Sequence, residues 1–167
     1  MTLRTCLKWI SVTASLFTAS AVAVGDDFAL SFDHQVAMDR TGAGSLTVTA
    51  ELGGVPGTFL LDTGAGMTTI SQDYFNEIAS VSDVTPLQDM MARLASGKLV
   101  PIKVYRIDSF QLGESCNLGP VEVGVMKRGG RNLLGLSALS QGAPFAVALS
   151  PPVLGLSRCA ASGVAAR

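Results

Sequence analysis

The sequence predicts a mainly β protein of one domain with one or two short helices. Eighteen glycines and seven prolines stand among short runs of Val, Leu, Ile and Thr, a composition of tight turns between short strands rather than of long helices. Within those runs apolar and polar residues alternate at period two, the pattern of strands with one buried face. At 167 residues, 48 % of them apolar, the chain can bury one sizeable core and is short for two.

The first residues are of another kind. Arg4 and Lys8 precede a charge-free apolar stretch, residues 10–24, which reads as a secretory signal. Ala21-Val22-Ala23 offers small residues for a cut before Val24, so residues 1–23 are expected to leave as a signal peptide. The alternative is an inner-membrane anchor formed by residues 10–24, but that stretch is shorter than the roughly 20 residues that span a bilayer and is diluted by Ser and Thr. Cleavage removes two of the twelve basic residues and none of the thirteen acids, moving the formal charge from −1 to −3. A mildly acidic mature chain has no electrostatic reason to bind nucleic acid, and without its signal it has no stable membrane association. Lys127, Arg128 and Arg131 cluster around Gly129-Gly130, as a solvated turn would place them.

Cysteine usage agrees with export. Cys6 leaves with the signal, and Cys116 and Cys159 remain as an even pair in an oxidising compartment. Either a disulfide or two small packed thiols satisfies that count.

Along the mature chain, residues 24–44 form an N-terminal arm. In it Phe28, Leu30 and Phe32 alternate as an edge strand or a loosely ordered segment. Leu46, Val48, Ala50 and Leu52 share one face of a strand ending at Gly53-Gly54, a hairpin turn leading to a second strand over Thr58 to Leu61. Thr68 to Ile70 is a brief strand, and Ser71 caps a short helix carrying Tyr74, Phe75 and Ile78. Residues 81–92 read as a loop. Leu94 to Leu99 is a hairpin tip, with Val100, Ile102 and Val104 alternating behind it. The alternation slips at Arg106 to Ser109, as at a bulge or bend, then resumes at Phe110 and Leu112. Val121, Val123 and Val125 make another strand, and a turn from Lys127 to Asn132 delivers Leu133-Leu134-Gly135. Phe145, Val147 and Leu149, then Pro151-Pro152, then Val153 to Leu156 read as a closing hairpin before a tail, residues 158–167.

The chemistry centres on Phe59-Leu60-Leu61-Asp62-Thr63-Gly64-Ala65. Cutting a peptide bond with neither metal nor nucleophilic side chain needs one carboxylate to take a proton from water and a second acid to protonate the carbonyl. Two carboxylates that close share one proton. An acid after Phe-Leu-Leu is costly unless its surroundings compensate it. Thr63 supplies a hydroxyl, while Gly64 and Gly66 allow close backbone approach.

These residues, with Leu133-Leu134-Gly135-Leu136 further along and the order of strands between, resemble the retropepsin-like aspartic proteases of the bacterial, exported, single-domain type. The resemblance covers residues 45–157. It implies a β-barrel of the pepsin half-lobe type, a polypeptide substrate and no cofactor. It makes Asp62 catalytic, Thr63, Gly64 and Ala65 its supporting loop, and Leu133, Leu134 and Gly135 the element that backs it. Ala95, Ser96, Gly97 and Lys98 become the tip of a flap over substrate. Since one chain offers one such aspartate, the resemblance also implies a homodimer, exported to the bacterial periplasm or secreted. Gly66 stands where the family often has Asp, Ser or Thr, so a side-chain bond bracing the loop is absent. Leu136 stands where viral relatives carry a polar or basic residue, so their intersubunit contacts do not transfer.

Other chemistries fit less well. Asp39-Arg40-Thr41-Gly42 looks similar to the central motif but has an inserted Arg and no apolar strand before it, so it reads as turn chemistry. Gly64-Ala65-Gly66 lacks the third glycine, the helix and the distal acid of a dinucleotide-binding turn. With His34 the only histidine, multi-histidine metal sites are excluded and a Ser/His or Cys/His mechanism would have to draw on the N-terminal arm. His34 is expected to be an ordinary surface residue. The remaining rival is a non-catalytic peptide-binding module on the same fold.

Overall fold

The computed structural model describes residues 31–127 and 130–160. The expected signal and its cut site, Phe28 and Leu30 of the arm, Arg128-Gly129 and residues 161–167 lie outside the described residues. Among the described residues no helix is long and apolar enough to cross a membrane.

The protein is mainly β. Strands β1 (His34–Ala37) and β2 (Asp39–Arg40) precede the hairpin β3 (Leu46–Leu52) and β4 (Val55–Leu61). Then come β5 (Thr68–Ser71), helix α1 (Gln72–Val81), β6 (Val84–Pro86), β7 (Met90–Arg93) and β8 (Leu99–Ile107). After them follow β9 (Phe110–Leu112), β10 (Cys116–Asn117), β11 (Val121–Met126) and β12 (Leu133–Leu134). Helix α2 (Leu136–Leu139), a 3-10 turn (Ser140–Gly142), β13 (Phe145–Leu149) and β14 (Pro152–Leu156) complete the chain. The large sheet runs β10-β9-β3-β4-β12-β5-β11-β8-β6, with β2 beside β3 and β7 beside β8. A second sheet of three strands has β14 between β1 and β13.

The alternation in β3 places Leu46, Val48, Ala50 and Leu52 in the core and Thr49 and Glu51 in solvent. Its turn is Gly53-Gly54, with φ of 58° and 82°, a left-handed pair that residues with a Cβ adopt at a cost. Phe59, fully buried on β4, packs its ring 5.0 Å from Phe110 and edge-on to Tyr74 at 5.8 Å. Burying such a ring is worth about 1.5–3 kcal/mol. Ser71 caps α1 through the Tyr74 amide, and the helix buries Tyr74, Phe75 and Ile78. Burial pushes the Tyr74 phenol up to about 12, so it stays protonated and donates to the Val55 carbonyl at 2.6 Å.

Residues 81–92 are not wholly loop. They contain β6 and most of β7, both antiparallel to β8. Val84, Thr85 and Pro86 are half-buried or exposed, as are Met90 to Arg93, so no buried face imposes an alternation on the sequence. The slip at Arg106 to Ser109 is a bend: β8 ends at Ile107, and the Ser109 carbonyl turns to accept from Gly53 N–H. His34 is half-buried at the start of β1, opposite Leu156.

A disulfide joins Cys116 to Cys159, with Cα atoms 5.0 Å apart and a sequence separation of 43. It ties the end of the large sheet to the segment after β14, where Ala160 N–H also donates to the Asn117 carbonyl. Closing a loop of that length predicts a loss of about 4 kcal/mol on reduction. Denaturant titration with and without reductant measures this, and thiol mapping on unfolded, unreduced protein should find neither Cys116 nor Cys159 free.

Candidate active site

Strand β4 ends at Leu61 and presents Asp62 at its tip. The two-residue β12 lies between β4 and β5, parallel to β4 with Leu133 opposite Leu60 and Leu134 opposite Leu61, and antiparallel to β5 with Leu133 opposite Thr69. Leu60 N–H donates to the Asn132 carbonyl at 2.8 Å and Asp62 N–H to the Leu134 carbonyl at 3.1 Å, so β12 fixes the backbone from which the carboxylate projects. Leu134 and Gly135 are buried beneath the loop.

The Asp62 side chain is half-buried, and its Oδ1 accepts from Gly64 N–H at 2.9 Å. The Asp62 carbonyl accepts from Ala65 N–H at 3.1 Å and closes the loop as a tight turn. Such bonds orient the acid and leave Oδ2 free of protein donors among the described residues. Thr63 and Gly64 are exposed. Thr63 Oγ1 makes no hydrogen bond to the described residues.

Gly66 does lack a bracing side chain, but the brace comes from elsewhere. Leu136 N–H donates to the Ala65 carbonyl at 2.9 Å and Ser137 N–H to the Gly66 carbonyl at 3.0 Å. Ser137 Oγ accepts from Thr68 N–H at 2.9 Å, and the buried Thr68 hydroxyl accepts from Gly135 N–H at 3.1 Å. The start of α2 thus holds the loop through backbone groups, which requires no particular residue at position 66.

The candidates among the described residues fall in separate places. The Asp62 loop and Leu133-Leu134-Gly135 come together. Ala95 to Lys98 form the exposed turn between β7 and β8, closed by Leu94 N–H to the Lys98 carbonyl and Gly97 N–H to the Leu94 carbonyl, both 2.8 Å. On that hairpin Met90, Met91 and Leu99 remain 43 %, 55 % and 50 % exposed. Cys116 and Cys159 lie apart, in the disulfide. The decoy at Asp39 is β2 and its turn, with Ser45 N–H bound to Thr41 Oγ1.

The sequence reading missed a cavity of about 480 Å³ whose wall includes Leu60, two residues before Asp62, together with the β2–β3 turn, β3, β4, Ser71 and Gly130 to Asn132. Asn132 joins the two features: its carbonyl holds Leu60, and its Oδ1 accepts from Ser71 N–H at 3.0 Å. The residues are scattered along the chain, and the polar Asn immediately before Leu133-Leu134 was the one local signal.

A family model described as aspartyl protease matches residues 48–138, from β3 to α2. The chain belongs to the aspartyl protease family. Among solved structures, a retropepsin-like aspartic protease from Rickettsia conorii superimposes with a TM-score of 0.55 at 16 % identity, over 74 % of this chain and 91 % of that one. That likeness speaks for the fold, which is retropepsin-like. No curated protein matches. The aspartyl protease match spans both the Asp62 loop and its β12 backing, the two parts that the geometry joins, and it supports a protease-type function with a polypeptide substrate.

Proposed function

We propose that the protein is a homodimeric aspartic endopeptidase, exported to the periplasm, in which Asp62 of each chain meets its counterpart across a twofold axis. The observation that carries this reading is the half-exposed Asp62 carboxylate, oriented by Gly64 N–H on a loop that β12 and α2 hold from behind.

In the reaction one Asp62, ionised, takes a proton from a water while the other, protonated, gives its proton to the scissile carbonyl oxygen. The water oxygen bonds to the carbonyl carbon, giving a neutral gem-diol, and the two carboxyls have exchanged roles. Collapse then breaks the C–N bond as a proton passes to the leaving amine and the diol returns its proton to the dyad. No cofactor takes part.

A second chain is required because no other carboxylate hydrogen-bonds Asp62 among the described residues. Two surfaces support its docking. Thr63, Gly64 and Gly66 are exposed beside Leu136, which is 39 % exposed, and β13 pairs only with β14, leaving the other edge of Phe145–Leu149 without a strand among the described residues. That edge carries no charged residue, so nothing on it discourages pairing with another strand. A twofold axis presents the same surface twice and satisfies both copies at once. The rival reading of a non-catalytic binding module draws on Gly66, where the bonds from Leu136 and Ser137 brace the loop without a side chain.

The test is a concentration series. Activity per chain should fall on dilution in step with dissociation followed by sedimentation, and excess Asp62→Asn chains should poison wild type by forming mixed dimers. A fully active monomer would refute the mechanism.

A further inference from the structure

We propose that the cavity with Leu60 in its wall is a subsite selecting an acidic substrate side chain, Asp or Glu, with Arg131 as the specificity-determining residue. The inference rests on the protease reading for its meaning, while its chemistry is read from the cavity wall.

The first argument is position. Leu60 stands in the wall, two residues before Asp62, on the strand that delivers it. Residues i and i+2 of extended chain project to the same side and lie about 7 Å apart. A peptide lying across Asp62 would therefore carry a side chain near the bond cut over the mouth of the cavity.

The second argument is what the wall leaves unused. It is lined by Thr41, Thr47, Thr58, Ser71, Arg131 and Asn132, with no Asp or Glu among its residues. Ser71 Oγ already accepts from Tyr74 N–H, and Thr41 Oγ1 from Ser45 N–H, so each hydroxyl retains its own hydrogen to donate. Asn132 spends its side-chain oxygen on Ser71 N–H and keeps its amide hydrogens. Arg131 has no carboxylate partner among the described residues. The free groups are thus mostly donors, one of them a full positive charge, and a carboxylate is the side chain that only accepts. The α1 N-terminus, which Ser71 caps, adds the positive end of its dipole on the same side. A neutral amide would leave part of this donor set unmatched, and a lysine would meet Arg131 as a like charge.

The experiment is a cleavage profile of wild type, Arg131→Gln and Arg131→Glu on a mixed peptide library. Wild type should enrich Asp and Glu up to about fivefold over Asn and Gln at one fixed position, the range an ion pair with the exposed Arg131 allows. Arg131→Gln should lose that preference, and Arg131→Glu should turn it toward Lys and Arg. A wild type indifferent to acids, or a preference that survives both substitutions, overturns the proposal. If wild type cuts nothing, the protease reading fails and the cavity is judged by binding. Blocked Ala-Glu-Ala and Ala-Gln-Ala are titrated into wild type and Arg131→Gln while backbone amide signals are followed by NMR. Shifts at Thr47, Leu60 and Asn132 with the Glu peptide alone, lost in Arg131→Gln, sustain the proposal. Equal shifts or none reject it.

Discussion

Asp62→Asn is expected to fold as wild type does and to lose peptide hydrolysis to background, a drop of at least about 10⁴-fold. Asn keeps the shape and an oxygen that can accept from Gly64 N–H, the bond that orients the side chain. Stability should therefore change by no more than about 1 kcal/mol. In the proposed dimer the substitution removes both the general base and the general acid, each typically worth 10²–10⁴-fold. The barrier should rise by roughly 5 kcal/mol or more. Thermal melts and kcat/KM on the same preparations separate the two effects. Unchanged cleavage with an unchanged melt would mean that Asp62 is not the reacting acid.

The strands that could be read from the sequence were those with one buried and one wet face. Leu46 to Leu52 alternates because β3 separates core from solvent residue by residue, and on β11 the valines at 121, 123 and 125 all face the core, with Glu122 exposed and Gly124 buried between them. Ser71 was legible as a cap because a hydroxyl before an apolar 3.6-period run has few other uses. Strands β6 and β7 were not legible: they pair with β8 near the margin of the sheet, bury little, and β6 ends in Pro86. Their partner specifies them, and no local pattern records it.

The site divides in the same way. Asp62 with its apolar lead-in and Leu133-Leu134-Gly135 are local strings whose types reflect local needs. The brace at Gly66 was hidden because it uses backbone groups of Leu136 and Ser137, which any sequence supplies. The cavity was hidden because Thr41 and Arg131, 90 positions apart in sequence, become neighbours only once β2 lies beside β3 and β12 beside β4. Hydroxyls in separate strands read singly as ordinary solvent-facing residues.

Gly135→Ala should be the most damaging single-methyl change near the site, costing about 3 kcal/mol or more of stability and most of the activity without touching the carboxylate. Its φ of −94° is open to alanine, so the cost is not conformational. A Cβ there would lie 2.5 Å from the Met67 carbonyl oxygen, 2.6 Å from its carbon and 2.8 Å from Thr68 nitrogen. All three are backbone atoms with no rotamer to change, and overpacking against better-yielding neighbours already costs about 1–3 kcal/mol. Relief requires β12 to withdraw, which lengthens the bonds from Gly135 N–H to Thr68 Oγ1 and from Asp62 N–H to the Leu134 carbonyl. Gly66→Ala is the matched control, since nothing lies within 4 Å of its Cβ and its φ is not in the left-handed region. Its stability should stay within about 0.5 kcal/mol of wild type. Gly64→Ala falls between them: its Cβ would stand 3.2 Å from Asp62 Oδ1, so the carboxylate must shift while the core does not, and activity should fall further than stability. Chemical denaturation and kcat/KM across the three variants should rank Gly135 lowest in stability, Gly64 reduced mainly in rate and Gly66 near wild type in both. A Gly135→Ala protein as stable and active as Gly66→Ala would show that β12 does not hold the Asp62 loop from behind.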